Sequence, residues 1–200
     1  MEWKEVNGNQ VHDTAIVNWD HINIGTGNKI YPHCCIGMDA QHVRAKSAGK
    51  VRIGNNNIFR EFSKVTLPTH HTRETVIENN CYFMQSSLVG HDVHIEDDVI
   101  LCNGAIVSGH TYVMRGVMLG NNSAVHQYQV LGSYTMMGMG TIISANMKIE
   151  PGNVYVGNPA KFLRMNSVGL ERNDVSFQDL KIEKDRYEQI KIEMNRHYAK

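Results

Sequence analysis

Residues 77–149 read IENNCYFMQSSLVGHDVHIEDDVILCNGAIVSGHTYVMRGVMLGNNSAVHQYQVLGSYTMMGMGTIISANMKI. Every sixth position from Ile77 is apolar: Phe83, Val89, Ile95, Leu101, Val107, Val113, Leu119, Val125, Leu131, Met137, Ile143 and Ile149. A period of six fits neither the 3.6 of a helix nor the 3.5 of a coiled coil. It fits a parallel β-helix in which each hexad is one short strand and one turn. The position four residues after each apolar residue is usually small or β-branched, as at Cys81, Ser87, Val93, Ala105 and Thr111. Glycine often follows the apolar residue directly (Gly90, Gly120, Gly132, Gly138), which suggests a corner needing permissive backbone. The frame extends back through Val65, Phe59 and Ile53, and an earlier block repeats it at Ile24, Ile30 and Ile36. Nineteen valines and seventeen isoleucines against eight leucines agree with strands.

From Ile36 to Ile53 the step is 17, so Met38–Lys50 is expected to be a loop thrown out of the coil. It carries Arg44, Lys46 and Lys50, which suit either a solvated linker or a flap over an anionic ligand. The pattern ends at Pro151-Gly152, and the tail reads helical from Ser176, where Ser176-x-x-Asp179 forms a capping box. Tyr187, Ile190, Met194 and Tyr198 line one face of that helix. The expected organisation is a β-helix over residues 1–160 with a protruding loop at 38–50, then a partly helical tail at 161–200. Twenty basic residues balance twenty acidic ones, so no global field points to nucleic acid or a membrane surface. No apolar run approaches the ~20 residues of a membrane span, and the first ten residues lack a signal-peptide core, so the expected location is cytoplasmic. Cys34, Cys35, Cys81 and Cys102 show no CxxC spacing and read as reduced thiols, with no metal site expected.

Two runs are more specific than a repeat: Ser86–His110, SSLVGHDVHIEDDVILCNGAIVSGH, and Gly120–Gly138, GNNSAVHQYQVLGSYTMMG. They resemble the hexapeptide-repeat UDP-N-acetylglucosamine acyltransferases of lipid A synthesis and the N-acyltransferases of nucleotide-linked amino sugars. The resemblance spans Val11 to Arg172. It implies a left-handed parallel β-helix with three hexads per coil, assembled as a homotrimer with active sites between subunits. Three hexads per coil stack residues 18 apart, about 4.8 Å from one another. One column is then Arg73, His91, Gly109, Gln127 and Ala145; a second is Asp92, His110 and Tyr128; a third is Ser108, His126 and Ser144.

Acyl transfer from a thioester needs a base for the incoming nucleophile and a donor for the tetrahedral oxyanion. By the resemblance, His91 is the base and the Gly109 N–H the oxyanion donor; Asp92 or a backbone carbonyl is in place to fix the imidazole tautomer. His110, His126 and Gln127 match positions that contact substrate, and Arg60 and Lys64 are expected on nucleotide phosphates. The remaining histidines (His12, His21, His33, His42, His70, His71, His94 and His197) read as surface residues. Leu88 stands where the family commonly has histidine, and Asn55 and Asn57 where the lipid A enzyme tends to carry charge. VGNPAK at Val156–Lys161 resembles the closing motif of coenzyme-A-using acetyltransferases, which puts Lys161, Arg164 and Arg172 on the cofactor. Met139 matches the acyl-length position and implies a short or medium chain.

The resulting expectation is an acyltransferase moving an acyl group from acyl-CoA to the amino group of a UDP- or dTDP-linked amino sugar, for cell-surface polysaccharide, with no permanently bound cofactor. The alternative is an O-acyltransferase using 3-hydroxyacyl-acyl carrier protein and UDP-N-acetylglucosamine. A γ-type zinc carbonic anhydrase is more remote, because no His-x4-His pair is present. A non-catalytic β-helix scaffold is the last possibility.

Overall fold

The computed structural model describes residues 2–198. Strands of two residues recur every six positions: Tyr82–Phe83, Leu88–Val89, His94–Ile95, Ile100–Leu101 and onward to Ile142–Ile143. Each pairs in parallel with the strand eighteen residues on, Tyr82 with Ile100, Leu88 with Ile106 and His94 with Tyr112. The chain therefore winds three walls, named here face A (from Tyr82–Phe83), face B (from Leu88–Val89) and face C (from His94–Ile95). They are sheets of ten, seven and six strands. Face A gains an antiparallel strand at each end, Trp3–Val6 on Asn9–His12 and Lys161–Met165 on Asn153–Val156.

With a side-chain period of two, the second residue of every strand points inward. Phe83, Val89, Ile95, Leu101, Val107, Val113, Leu119, Val125, Leu131, Met137 and Ile143 are all buried. Each contributes roughly 1.5–3 kcal/mol by leaving water. Phe59 and Phe83 stack at 4.7 Å between centroids within this column.

The glycines that follow the apolar positions serve close approach rather than unusual backbone. The left-handed residues lie elsewhere on the corners, at Ser86, Asp92, Asp98, His110 and Tyr128 among others. A Cβ on Gly120 would sit 2.5 Å from the Met137 carbonyl oxygen of the next coil. One on Gly90 would sit 2.9 Å from the Gly109 nitrogen.

Two insertions longer than one residue interrupt the coil, both at the corner from face B to face C. The first joins Cys35–Met38 to Lys50–Ile53 and is the expected loop. The second was not anticipated: Lys64–Thr66 reaches Glu74–Ile77 by twelve positions from Val65 to Ile77, where a regular step takes six. His71 falls on the hexad frame, yet it is exposed on this loop. An antiparallel bridge between Ser47 and Thr69 ties the two insertions together. They stack directly before the corner that carries His91.

Beyond the coil, α1 (Ser167–Arg172) and α2 (Phe177–Tyr198) complete the chain. The capping box forms, Ser176 Oγ donating to Asp179 and the Asp179 N–H returning to Ser176 Oγ at 3.1 Å. The apolar stripe of α2 packs on face C, Tyr187 with Met114 and Val130, flanked by Ile190, Met194 and Tyr112. The side chains of His197 and Tyr198 lie outside the described residues. Arg186 anchors the helix through Glu96, a buried carboxylate of the coil that also accepts from the Tyr112 hydroxyl at 2.8 Å. Face C is thus covered, and face B is bare. The outward residues of face B run Ile16, Cys35, Lys64, Leu88, Ile106, Ala124 and Ile142, with Ile16 56% and Ile106 39% exposed.

Candidate active site

Gly90-His91-Asp92-Val93 turns the chain from face B to face C, with Asp92 in the left-handed region at φ 58°. An Asp tolerates that conformation better than a branched residue. Its N–H is held by Thr75 Oγ1 at 3.0 Å. His91 is 7% exposed, and its Nδ1 lies 2.8 Å from Asp92 Oδ2. A carboxylate can only accept, so Nδ1 carries a proton, and in the neutral imidazole Nε2 keeps the lone pair. The ring lies on Gly109: a Cβ there would meet His91 Cε1 at 2.4 Å and Nε2 at 2.7 Å. Only glycine leaves that room. The Gly109 N–H donates to no acceptor among the described residues, while its carbonyl takes the Tyr128 N–H at 3.2 Å.

The Asp92 carboxylate is out of solvent and fully engaged. It accepts from the Thr69 N–H (3.1 Å) and hydroxyl (2.7 Å), the Thr72 N–H (3.2 Å) and hydroxyl (2.5 Å), and His91. Burial alone would raise its pKa. The bonds from His91, Thr72 and Thr69, with His110 nearby, prevail and hold it well below the usual carboxylate range. His110 stacks on Tyr128 at 4.6 Å and meets His91 edge-on at 4.9 Å. Burial pushes its pKa down to about 4 against the pull of Asp92, so it is neutral near pH 7. His91, Asp92 and His110 are the one cluster among the described residues whose side-chain atoms could converge on a metal ion, within 4.8 Å of one another. The carboxylate they would share is already taken by five hydrogen-bond donors.

The structure brings His91, Asp92, Gly109 and His110 together, as the 18-residue columns imply. His126 and Gln127 follow on the same corner and are exposed, His126 Nδ1 lying 3.0 Å from the Gln127 carbonyl oxygen. Lys64 projects from face B in register with Leu88, three residues before His91. Arg73 does not continue the His91 column: it closes the second insertion, its carbonyl accepting the Lys50 N–H at 3.1 Å. Arg60 is elsewhere, beyond Ile58–Phe59 of face A, paired with Glu61, bonded to the Tyr82 hydroxyl at 3.0 Å and lying over the Tyr31 ring. Met139 is 76% exposed at the opposite edge of face B, where face A turns into it. Lys161 and Arg164 stand on the last strand of face A, with Arg172 in α1. That strand is the fifth beyond Tyr82 in face A, roughly 24 Å along the axis.

Three histidines read as surface residues belong to this corner. His42, from the first insertion, meets the His91 ring edge-on at 5.3 Å. His71, from the second, meets His110 at 5.5 Å, and His70 lies against His71 at 4.2 Å. The signal in the sequence is the pair of interrupted hexads at one corner, which delivers extra chain to one place.

No family model matches the chain. It is 32% identical over 158 residues to the acyl-[acyl-carrier-protein]–UDP-N-acetylglucosamine O-acyltransferase of Synechocystis, covering 78% of this chain and 56% of the relative. The enzyme of the same description from Nautilia profundicola is 31% identical over 169 residues, covering 84% and 64%. Among solved structures, the UDP-N-acetylglucosamine acyltransferase of Francisella novicida superposes with a TM-score of 0.72 at 20% identity, covering 97% of this chain and 87% of that one. The chain spans only a little over half the length of the curated relatives it matches. These relatives overturn the expectation of an acyl-CoA-dependent N-acyltransferase: their descriptions specify acyl carrier protein and O-acylation. With it falls the assignment of Lys161, Arg164 and Arg172 to coenzyme A.

Proposed function

The chain is related in sequence and fold to the UDP-N-acetylglucosamine O-acyltransferases, and from this we propose that it transfers an acyl group from an acyl-carrier-protein thioester to a hydroxyl of a UDP-linked N-acetylamino sugar. The observation that carries the reading is the His91–Asp92 pair laid over Gly109, beside a backbone N–H that has no acceptor among the described residues.

His91 Nε2 takes the proton of the attacking hydroxyl as its oxygen bonds to the thioester carbon. Asp92 holds Nδ1–H and balances the charge of the imidazolium. The Gly109 N–H donates to the oxyanion, a contribution of roughly 3 kcal/mol for one such donor. Collapse of the tetrahedral intermediate breaks the C–S bond, and the carrier's thiolate recovers the proton from Nε2. Buried and neutral, His110 packs against the base and limits its motion. His126, Gln127 and Lys64 border the approach, with the basic loop at 38–50 disposed toward the nucleotide phosphates.

The reading includes a left-handed coil over residues 1–160, with 161–200 appended, and a closed trimer. Apart from Lys64 the outward residues of face B are apolar or small, and among the described residues no helix covers them; His91 lies at one edge and Met139 at the other. A cyclic, head-to-tail contact brings one edge of each protomer to the other edge of the next and supplies the second wall of the cleft. There Met139 would limit the acyl chain. Among the described residues no helix is long and apolar enough to cross a membrane. The reading places the enzyme with its soluble substrates in the cytoplasm.

The test is incubation with acyl-acyl carrier protein and UDP-N-acetylglucosamine, the product identified by mass spectrometry. An alkali-labile ester on the sugar is expected. An alkali-stable amide, or turnover with coenzyme A thioesters alone, would overturn the reading.

A further inference from the structure

The second insertion has a use that the repeat does not explain. Its residues 67–73 interrupt a coil otherwise regular from Val51 to Ile143, and what they turn inward is two threonines. Thr69 gives Asp92 its N–H and hydroxyl, and Thr72 does the same from the other side. Thr75, at the first buried position after the loop, accepts the Asp92 N–H and fixes the backbone of the residue being clamped. Pro68 offers its carbonyl to the Ala48 N–H at 2.9 Å, and Thr69 bridges Ser47, so the clamp is zipped to the loop that brings His42 to His91.

A carboxylate with no exposed side-chain surface would ordinarily be neutral, because burial disfavours its charge. A neutral Asp92 is a poor acceptor for His91 Nδ1–H, and the imidazole would lose both tautomer and orientation. The bond from His91 and the four donors from the insertion together outweigh the burial. The Thr72 hydroxyl has one proton and two acceptors in reach, Asp92 Oδ1 at 2.5 Å and the Glu74 carbonyl at 2.8 Å. The charged acceptor takes it.

We propose that Thr72, with Thr69, is a positioning residue: the 67–73 insertion is a clamp that keeps Asp92 anionic and immobile so that His91 presents a fixed Nε2 lone pair. The inference rests on His91 being the base, and its test reads the clamp separately from turnover.

Thr72→Val removes the hydroxyl and keeps the shape; Thr72→Ser restores it. In the free protein the proton NMR spectrum should show a far-downfield, slowly exchanging Nδ1–H resonance assigned to His91 by its loss in His91→Ala. That resonance should broaden and move upfield in Thr72→Val and return in Thr72→Ser. With substrates, Thr72→Val should lower kcat by on the order of tenfold with KM for the sugar nucleotide within about twofold. An Asp92 held by fewer donors pairs less firmly with the imidazolium, so the acid limb of kcat/KM should move to lower pH. A resonance and pH profile unchanged in Thr72→Val, or a serine that fails to restore them, would overturn the clamp. Absence of all turnover with an intact resonance shift would sink the acyltransfer reading and leave the clamp standing. Thr72 is half-buried at the rim, so the valine variant should fold; if it melts early, Thr72→Ala answers the same question.

Discussion

Two corners of this coil bury polar side chains, and they end differently. Between faces C and A, Asn9, Asn28 and Asn57 form a ladder. Asn9 Oδ1 takes the Asn28 N–H at 2.9 Å, Asn28 Oδ1 the Asn57 N–H at 2.8 Å, and Asn57 Oδ1 the Cys81 N–H at 2.8 Å. The amide nitrogens of Asn28 and Asn57 reach the Gly54 and Glu78 carbonyls at 2.9 and 2.8 Å. Every polar group there answers another in the next coil. Between faces B and C, the ladder is closed on one side only. Asp92 is saturated, whereas His91 Nε2 and the Gly109 N–H have no partner among the described residues. A buried polar column is structural when its last donor and acceptor find each other. It is chemical when they are held apart by residues that are themselves fully satisfied.

This contrast can be broken by experiment. Asn57→Ala should leave the Cys81 N–H and the Glu78 carbonyl without their side-chain partner in a dry corner and cost about 3 kcal/mol. Urea unfolding measures it, and kcat per folded molecule should stay within twofold. Lost activity at unchanged stability would erase the distinction between the corners.

A smaller effect separates them by pH. His110 is buried neutral, with its pKa lowered to about 4. Between that value and its unfolded value near 6.5, the unfolded chain binds more protons, so stability should rise as pH increases across this window. The expected total is at most about 3 kcal/mol. The contribution is complete above about pH 6.5 and lost on descent toward pH 4. Asp92, whose pKa is lowered, adds its own loss only below the ordinary carboxylate value near 4. Denaturant melts from pH 4 to 7 should show the slope in the parent and a flattened one in His110→Asn. Asn57→Ala should keep the slope, because the amide ladder has no proton to exchange. A parent stability that is flat across this range would refute the buried neutral imidazole.

The coil was legible because two-residue strands at a fixed step leave little freedom: one apolar residue per hexad must face inward. The columns followed, and His91 over Gly109 and His110 on Tyr128 lie where 18-residue arithmetic puts them. That arithmetic stops at an insertion. Thr69, Thr72, His42 and His71 reach the site through extra chain, so no count of residues from His91 finds them, and Arg73 was misplaced for the same reason. The helix was readable from its capping box and stripe. The corner glycines were misread, because a sequence does not distinguish freedom in φ from the approach of a neighbouring backbone. The acyl donor was misread too: coenzyme A and acyl carrier protein present the same thioester, and a short surface motif after the last coil does not choose between them.

The central claim is that the imidazole left open at the B–C corner moves the proton. Single-turnover acyl transfer by His91→Ala, with acyl-acyl carrier protein and UDP-N-acetylglucosamine, tests it directly, beside a thermal melt showing that the coil is folded. The rate should fall by about 10² or more, the range expected when a general base is lost. A variant that is folded and transfers the acyl group at close to the parent rate between pH 6 and 8 would contradict the account.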